Sequence, residues 1–141
     1  MDKGTAADIE MLEEALAGMV APWVRALGLR VAEAHAGQVL LRLPVTPSLV
    51  HGGGVLCGQA LMAAADTAMV LAVMTRLGGF KPMTTVQLQT SFLKPVPGSS
   101  AHAEVLARVL RMGKSLIFGE ILMHTDTGDL AAHATTTYAL L

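Results

Sequence analysis

One cysteine, Cys57, is all the chain carries, so neither an intrachain disulfide framework nor a multi-cysteine metal site is open to it. Charge is scarce too: 15% of the 141 residues are charged, against 52% hydrophobic. That is little charge for the exterior of a lone domain, and it points to a second copy covering part of the surface. The formal net charge is −1, with Lys and Arg scattered rather than clustered. Nothing in that balance draws nucleic acid or an anionic membrane.

Repeats, low-complexity tracts and linkers are absent, and the length suits one domain with its own core. A basic leader followed by an apolar stretch is also missing. Met1 to Leu16 holds Asp2, Asp8, Glu10, Glu13 and Glu14 instead, so the expectation is a soluble, cytoplasmic protein with a reduced thiol. The most apolar run, Ala60 to Met74, is short for a bilayer span and has Asp66 near its middle.

What the chain does have is clear periodicity. Residues 1–27 form an N-terminal helical segment. Within it, Asp8 to Leu27 reads as an amphipathic helix, with Met11, Leu12, Ala15, Met19, Val20 and Trp23 at helical spacing and Pro22 kinking or breaking it. Leu29–Ala34 and Val39–Pro44 alternate as strands about an Ala36-Gly37 turn. After a loop holding Gly52-Gly53-Gly54, Gly58 to Leu77 is a long helix, apolar on nearly every side and closed by Gly78-Gly79. Four strands follow: Met83–Lys94, Ala101–Arg111, Lys114–Thr125 and Leu130–Leu140, separated by short turns. The order predicts a single α+β domain over residues 1–141, with one antiparallel sheet curling around one central helix.

Asp66 is the strongest chemical signal. Its helical neighbours Met62, Ala63, Met69 and Val70 are all apolar, and a carboxylate there is costly unless something pairs with it. It either serves a reaction or faces a water-filled gap. The loop from His51 to Gln59 enters the same helix. Free N–H groups at a helix start, above all that of Gly58, suit a carbonyl oxygen gaining charge, unless the glycines merely turn the chain. His51 is an acid/base or orienting candidate; alone it would be read as a loop histidine. Cys57 is more simply a packed cysteine than a nucleophile. Thr84, Thr85 and Ser91 are ordinary strand residues unless the fold brings one to Asp66. His35, His102, His124 and His133 are dispersed without metal-ligand spacing, so no metal is expected.

The run Gly53 to Ala68, the strand Thr85 to Pro95 and the final Ala132 to Tyr138 together resemble the PaaI-like branch of the hot-dog thioesterases. The resemblance extends from about Leu27 to the end of the chain. Relatives carry His-Gly-Gly nine residues before the aspartate. His51-Gly52-Gly53 lies too early for that, 66 − 51 = 15, and read literally it would put Ala60 in the place of the acid. Anchoring on Asp66 puts Cys57-Gly58-Gln59 at the motif, 66 − 57 = 9, with Gly58 as the oxyanion-binding glycine and Cys57 in place of the usual histidine.

The resemblance then implies an acyl-CoA thioesterase without metal or redox cofactor. Asp66 would be general base or nucleophile, and Thr85 would stand near the attacking water. His51 would take the place of a polar residue, often Asn, that positions thioester or water. Cys57 and Gln59 flank the glycine as substrate contacts. Arg111 and Lys114 would reach CoA phosphates or form a solvated hairpin tip. The family is dimeric or a dimer of dimers with sites at the subunit interface. A hot-dog hydratase or dehydratase using His51 with Asp66, and a non-catalytic acyl-CoA binder, are the rival readings.

Overall fold

The computed structural model describes residues 2–141. The helices α1 (Ala6–Gly18) and α2 (Pro22–Arg25) precede a hairpin of β1 (Arg30–His35) and β2 (Gln38–Pro44). A 3-10 turn at Pro47–Leu49 leads to the long helix α3 (Gly58–Leu77). Then come β3 (Met83–Phe92), β4 (His102–Met112), β5 (Leu116–Thr125) and β6 (Leu130–Leu140).

The N-terminal segment is two helices, broken near Pro22 as the sequence predicts. Thr5 caps α1 by accepting from the Asp8 N–H at 3.1 Å. The helix stops at Gly18, and Pro22 holds Ala21 in extended geometry and begins α2. Trp23, expected on the apolar stripe, is therefore turned outward and is 64% exposed.

The strands form one antiparallel sheet in the order β1-β2-β4-β5-β6-β3. Its inner face carries Val39, Leu41 and Leu43 on β2, one side of the alternation in Val39–Pro44, together with Val105 on β4 and Ile117 and Ile121 on β5. These residues close over Ala64, Ala68, Leu71 and Ala72 of α3, and each large aliphatic side chain so buried contributes about 1.5–3 kcal/mol. Ala, Leu and Met favour the helix, and Gly78 ends it in the left-handed region at φ +78°. Thr75 ties its last turn to the sheet, accepting the Gly37 N–H of the β1–β2 turn at 2.8 Å. This is the hot-dog arrangement the resemblance implies.

At 20 residues α3 is long and apolar enough to cross a bilayer, longer than the Ala60–Met74 run suggests, but 61% of its apolar window is buried in the protein. Strand β3 is left at the sheet's edge. Val86, Phe92 and the adjoining Leu93 are exposed there, and beside them the chain offers one unpaired row of backbone groups.

Candidate active site

Asp66 sits midway along α3, half-buried, where the helix passes the edge of the sheet. Thr85 on β3 donates its hydroxyl to Asp66 Oδ1 at 2.9 Å. The fold thus brings together two residues 19 positions apart. Beside them opens a cleft of about 240 Å³, walled by Met19, Val20, Val24, Val70, Phe80 and Met83. Apart from Asp66 and Thr67, the groups lining it are apolar.

Gly58 is the first residue of the same helix, and Cys57 is its N-cap. Among the described residues, no carbonyl or side chain accepts from the Gly58 or Gln59 N–H. Both are free donors of a helix N-terminus, where the partial positive charge favours an anion. The Phe92 ring lies against the glycine, 3.1 Å from where a Cβ would stand. A cavity of about 290 Å³ collects His51, Gly58, Phe92 and Lys94. His51 Nδ1 accepts the Gly53 N–H at 2.9 Å, which leaves the proton of the neutral ring on Nε2.

The candidate residues thus fall into two groups within one chain, Asp66 with Thr85 and Gly58 with His51. Cys57 and the Gln59 side chain belong to neither group: they line a separate apolar groove with Trp23, Leu27 and Leu49. Arg111 and Lys114 are exposed at the β4–β5 hairpin and line neither of the two cavities. His133 pairs with Glu120 at 3.1 Å and His102 approaches Glu104 at 3.8 Å, on the outer face of the sheet.

One contact lay beyond sequence reasoning. Tyr138, on β6, directs its hydroxyl onto Asp66, reaching the carboxylate Oδ1 and the main-chain oxygen, the latter at 2.9 Å. Strand alternation turns Tyr138 inward, but no spacing rule connects it with a helix residue 72 positions away. Burial, then the nearby Asp66 charge and the hydrogen bond to it, hold the phenol well above its ordinary pKa of 10.0.

Residues 50–132 match the family model of the thioesterase superfamily. The chain belongs to that superfamily. The matched stretch contains His51, Gly58, Asp66 and Thr85 and ends before Tyr138.

A thioesterase-superfamily chain of this kind has relatives of similar size. One, a Thermoplasma volcanium protein with a provisional esterase name, is 29% identical over 104 residues, covering 74% of this chain and 76% of its own. The same fold occurs in the E. coli PaaI protein of the phenylacetic acid degradation operon, at TM-score 0.83 and 17% identity over 98% of this chain and 96% of that one. It occurs again in a hypothetical thioesterase from Streptococcus pneumoniae solved with coenzyme A, at TM-score 0.73 and 17% identity over 80% and 85% of the two chains. Membership of that superfamily supports a hydrolase activity of the esterase or thioesterase kind.

Proposed function

We propose that the protein hydrolyses acyl-CoA thioesters at a site completed by two copies of the chain, in the cytoplasm. The observation that carries this reading is a half-buried carboxylate, Asp66, held by donors beside an apolar cleft, on the helix whose first N–H groups are free.

In the reaction, Asp66 either draws a proton from water or attacks the carbonyl carbon itself. The carbonyl oxygen gains charge as the bond to carbon forms, and the Gly58 N–H stabilises it; such a donor is worth roughly 3–4 kcal/mol in acyl transfer. The C–S bond then breaks, CoA leaves as the thiolate, and in the anhydride route water releases the acid. The apolar cleft beside Asp66 suits an uncharged acyl group. The fold neighbour solved with coenzyme A supports a CoA thioester as the substrate.

The edge strand supports a second copy. Two β3 strands paired antiparallel about a two-fold axis near Leu88 and Gln89 carry Thr85 of one copy opposite Phe92 of the other. Asp66 of one chain then faces Gly58 of its mate, and the exposed edge is covered.

Release of free thiol from a panel of aryl, short-chain and long-chain acyl-CoA substrates tests the activity. Thioester turnover that Asp66→Asn abolishes, with an unchanged circular dichroism spectrum, is the expected result. Tight acyl-CoA binding without hydrolysis, or enoyl-CoA hydration in place of it, would reject the proposal.

A further inference from the structure

A phenol buried to 2% exposure needs a partner, and Tyr138 has chosen the carboxylate that the reaction uses. Its hydroxyl and that of Thr85 converge on the same oxygen, Asp66 Oδ1, from two adjacent strands. Among the described residues, no protein donor reaches Oδ2. A planar carboxylate clamped at one oxygen has its rotation fixed, and the lone pairs of the other stay unused. Resting on the reading of Asp66 as the reacting group, we propose that Tyr138 is a positioning residue: with Thr85 it clamps Oδ1 and so presents Oδ2 to the water or the thioester carbonyl.

The surroundings leave this task to few groups. The cleft walls from Met19 to Val24, Phe80 and Met83 bring only apolar side chains, Lys81 is exposed outside it, and no Lys, Arg or His pairs with Asp66 in the protomer. Tyr138 is therefore the one titratable side chain on Asp66 among the described residues of the chain. It stays protonated, a permanent donor.

Donors on an ionised carboxylate oppose its protonation, so removing one moves the acidic limb of the rate profile to higher pH. The test is acyl-CoA hydrolysis by the full chain across the acidic and neutral range. Tyr138→Phe keeps the ring in the core. It is expected to lower kcat about tenfold with KM within about twofold. Its acidic limb should move up. Thr85→Val should shift the limb the same way, and Thr85→Ser should restore it.

The chain has a single tyrosine, so biosynthetic incorporation of 3-fluorotyrosine alters Tyr138 alone and keeps the fold even if Tyr138→Phe loses it. The more acidic phenol is a stronger donor and should move the acidic limb to lower pH. A limb unmoved by fluorotyrosine, or a Tyr138→Phe enzyme with wild-type kcat and profile, overturns the proposal. Asp66→Asn separates this from the reading beneath it. If that variant keeps full turnover, the reading of Asp66 as the reacting group fails. The clamp is still reported by the fluorine resonance of residue 138, which Asp66→Asn should displace.

Discussion

Gly58 and Asp66 share one helix, 66 − 58 = 8 residues apart, and so stand about 12 Å from each other along its axis. A thioester carbonyl must lie within hydrogen-bond reach of an oxyanion donor and close to the attacking group at once. Within one chain these two residues cannot serve the same carbonyl. In the proposed dimer the free N–H groups and the carboxylate, one at each end of the edge strand β3, are brought together because an antiparallel copy of that strand exchanges the ends.

Gly58 can be tested through its N–H alone. It is the first residue of α3, a position where proline is well tolerated, and Cys57 before it is already extended. Gly58→Pro should fold, remove the donor and lower kcat by roughly 10²–10³. Gly58→Ala keeps the N–H and asks only that the half-free Phe92 ring give way, so it should lose less. Thioester assays on the two variants, with melting temperatures as the control for folding, decide the point; equal losses would remove the oxyanion role.

Packing makes its own prediction at Gly119. A Cβ there would come within 2.2 Å of Met69 Cε and 2.8 Å of the Arg108 carbonyl oxygen. Met69 can swing, but the backbone of the neighbouring strand β4 cannot easily retreat. Gly119→Val should destabilise the protein by about 1–3 kcal/mol, read as a lower urea midpoint with an unchanged slope. A midpoint equal to wild type would mean that this contact is not close in solution.

Much of the architecture could be read from the residues because its signals were local. Gly58 and Gly78 bracket a run of good helix formers, and α3 keeps those bounds. The turn residues Asp126–Asp129 mark the start of Leu130–Leu140, and β6 spans it. In the N-terminal segment the break expected at Pro22 is present, but it begins earlier, at Gly18, because the proline opens a new helix and does not end the old one. Asp66 stood out by its apolar neighbours, and its tie to Thr85 came through family resemblance. Tyr138 was illegible as a partner: alternation shows which way it points, and only the curl of the sheet decides which helix residue it meets. That Asp66 and Gly58 belong to sites shared between copies was an expectation of the family resemblance alone, since sequence spacing does not say on which chain two groups act.

The outer face of the sheet carries an ion-pair cluster with a definite pH signature. Glu120 accepts from His133 at 3.1 Å and from Arg108 at 2.6 Å. These bonds, that with His133 first, hold its carboxyl below the ordinary value of 4.5. A depressed carboxylate stabilises the fold fully above its unfolded pKa and ceases to do so as pH falls through the folded one. Glu120→Gln should therefore cost roughly 1 kcal/mol near neutrality, and its difference in melting temperature from wild type should shrink as pH drops below the ordinary glutamate range. A difference that is constant across that range would contradict the assignment.

The shared site itself is tested by subunit complementation. Asp66→Asn and Gly58→Pro are each expected to be nearly inactive as pure proteins. In a dimer that holds one of each, one interface site carries both substitutions and the other carries neither. Random pairing of equal amounts should therefore restore about a quarter of wild-type thioesterase activity, because half the dimers are mixed and each of those has one intact site of two. A mixture that stays as inactive as its components, although the subunits demonstrably exchange, would contradict the account.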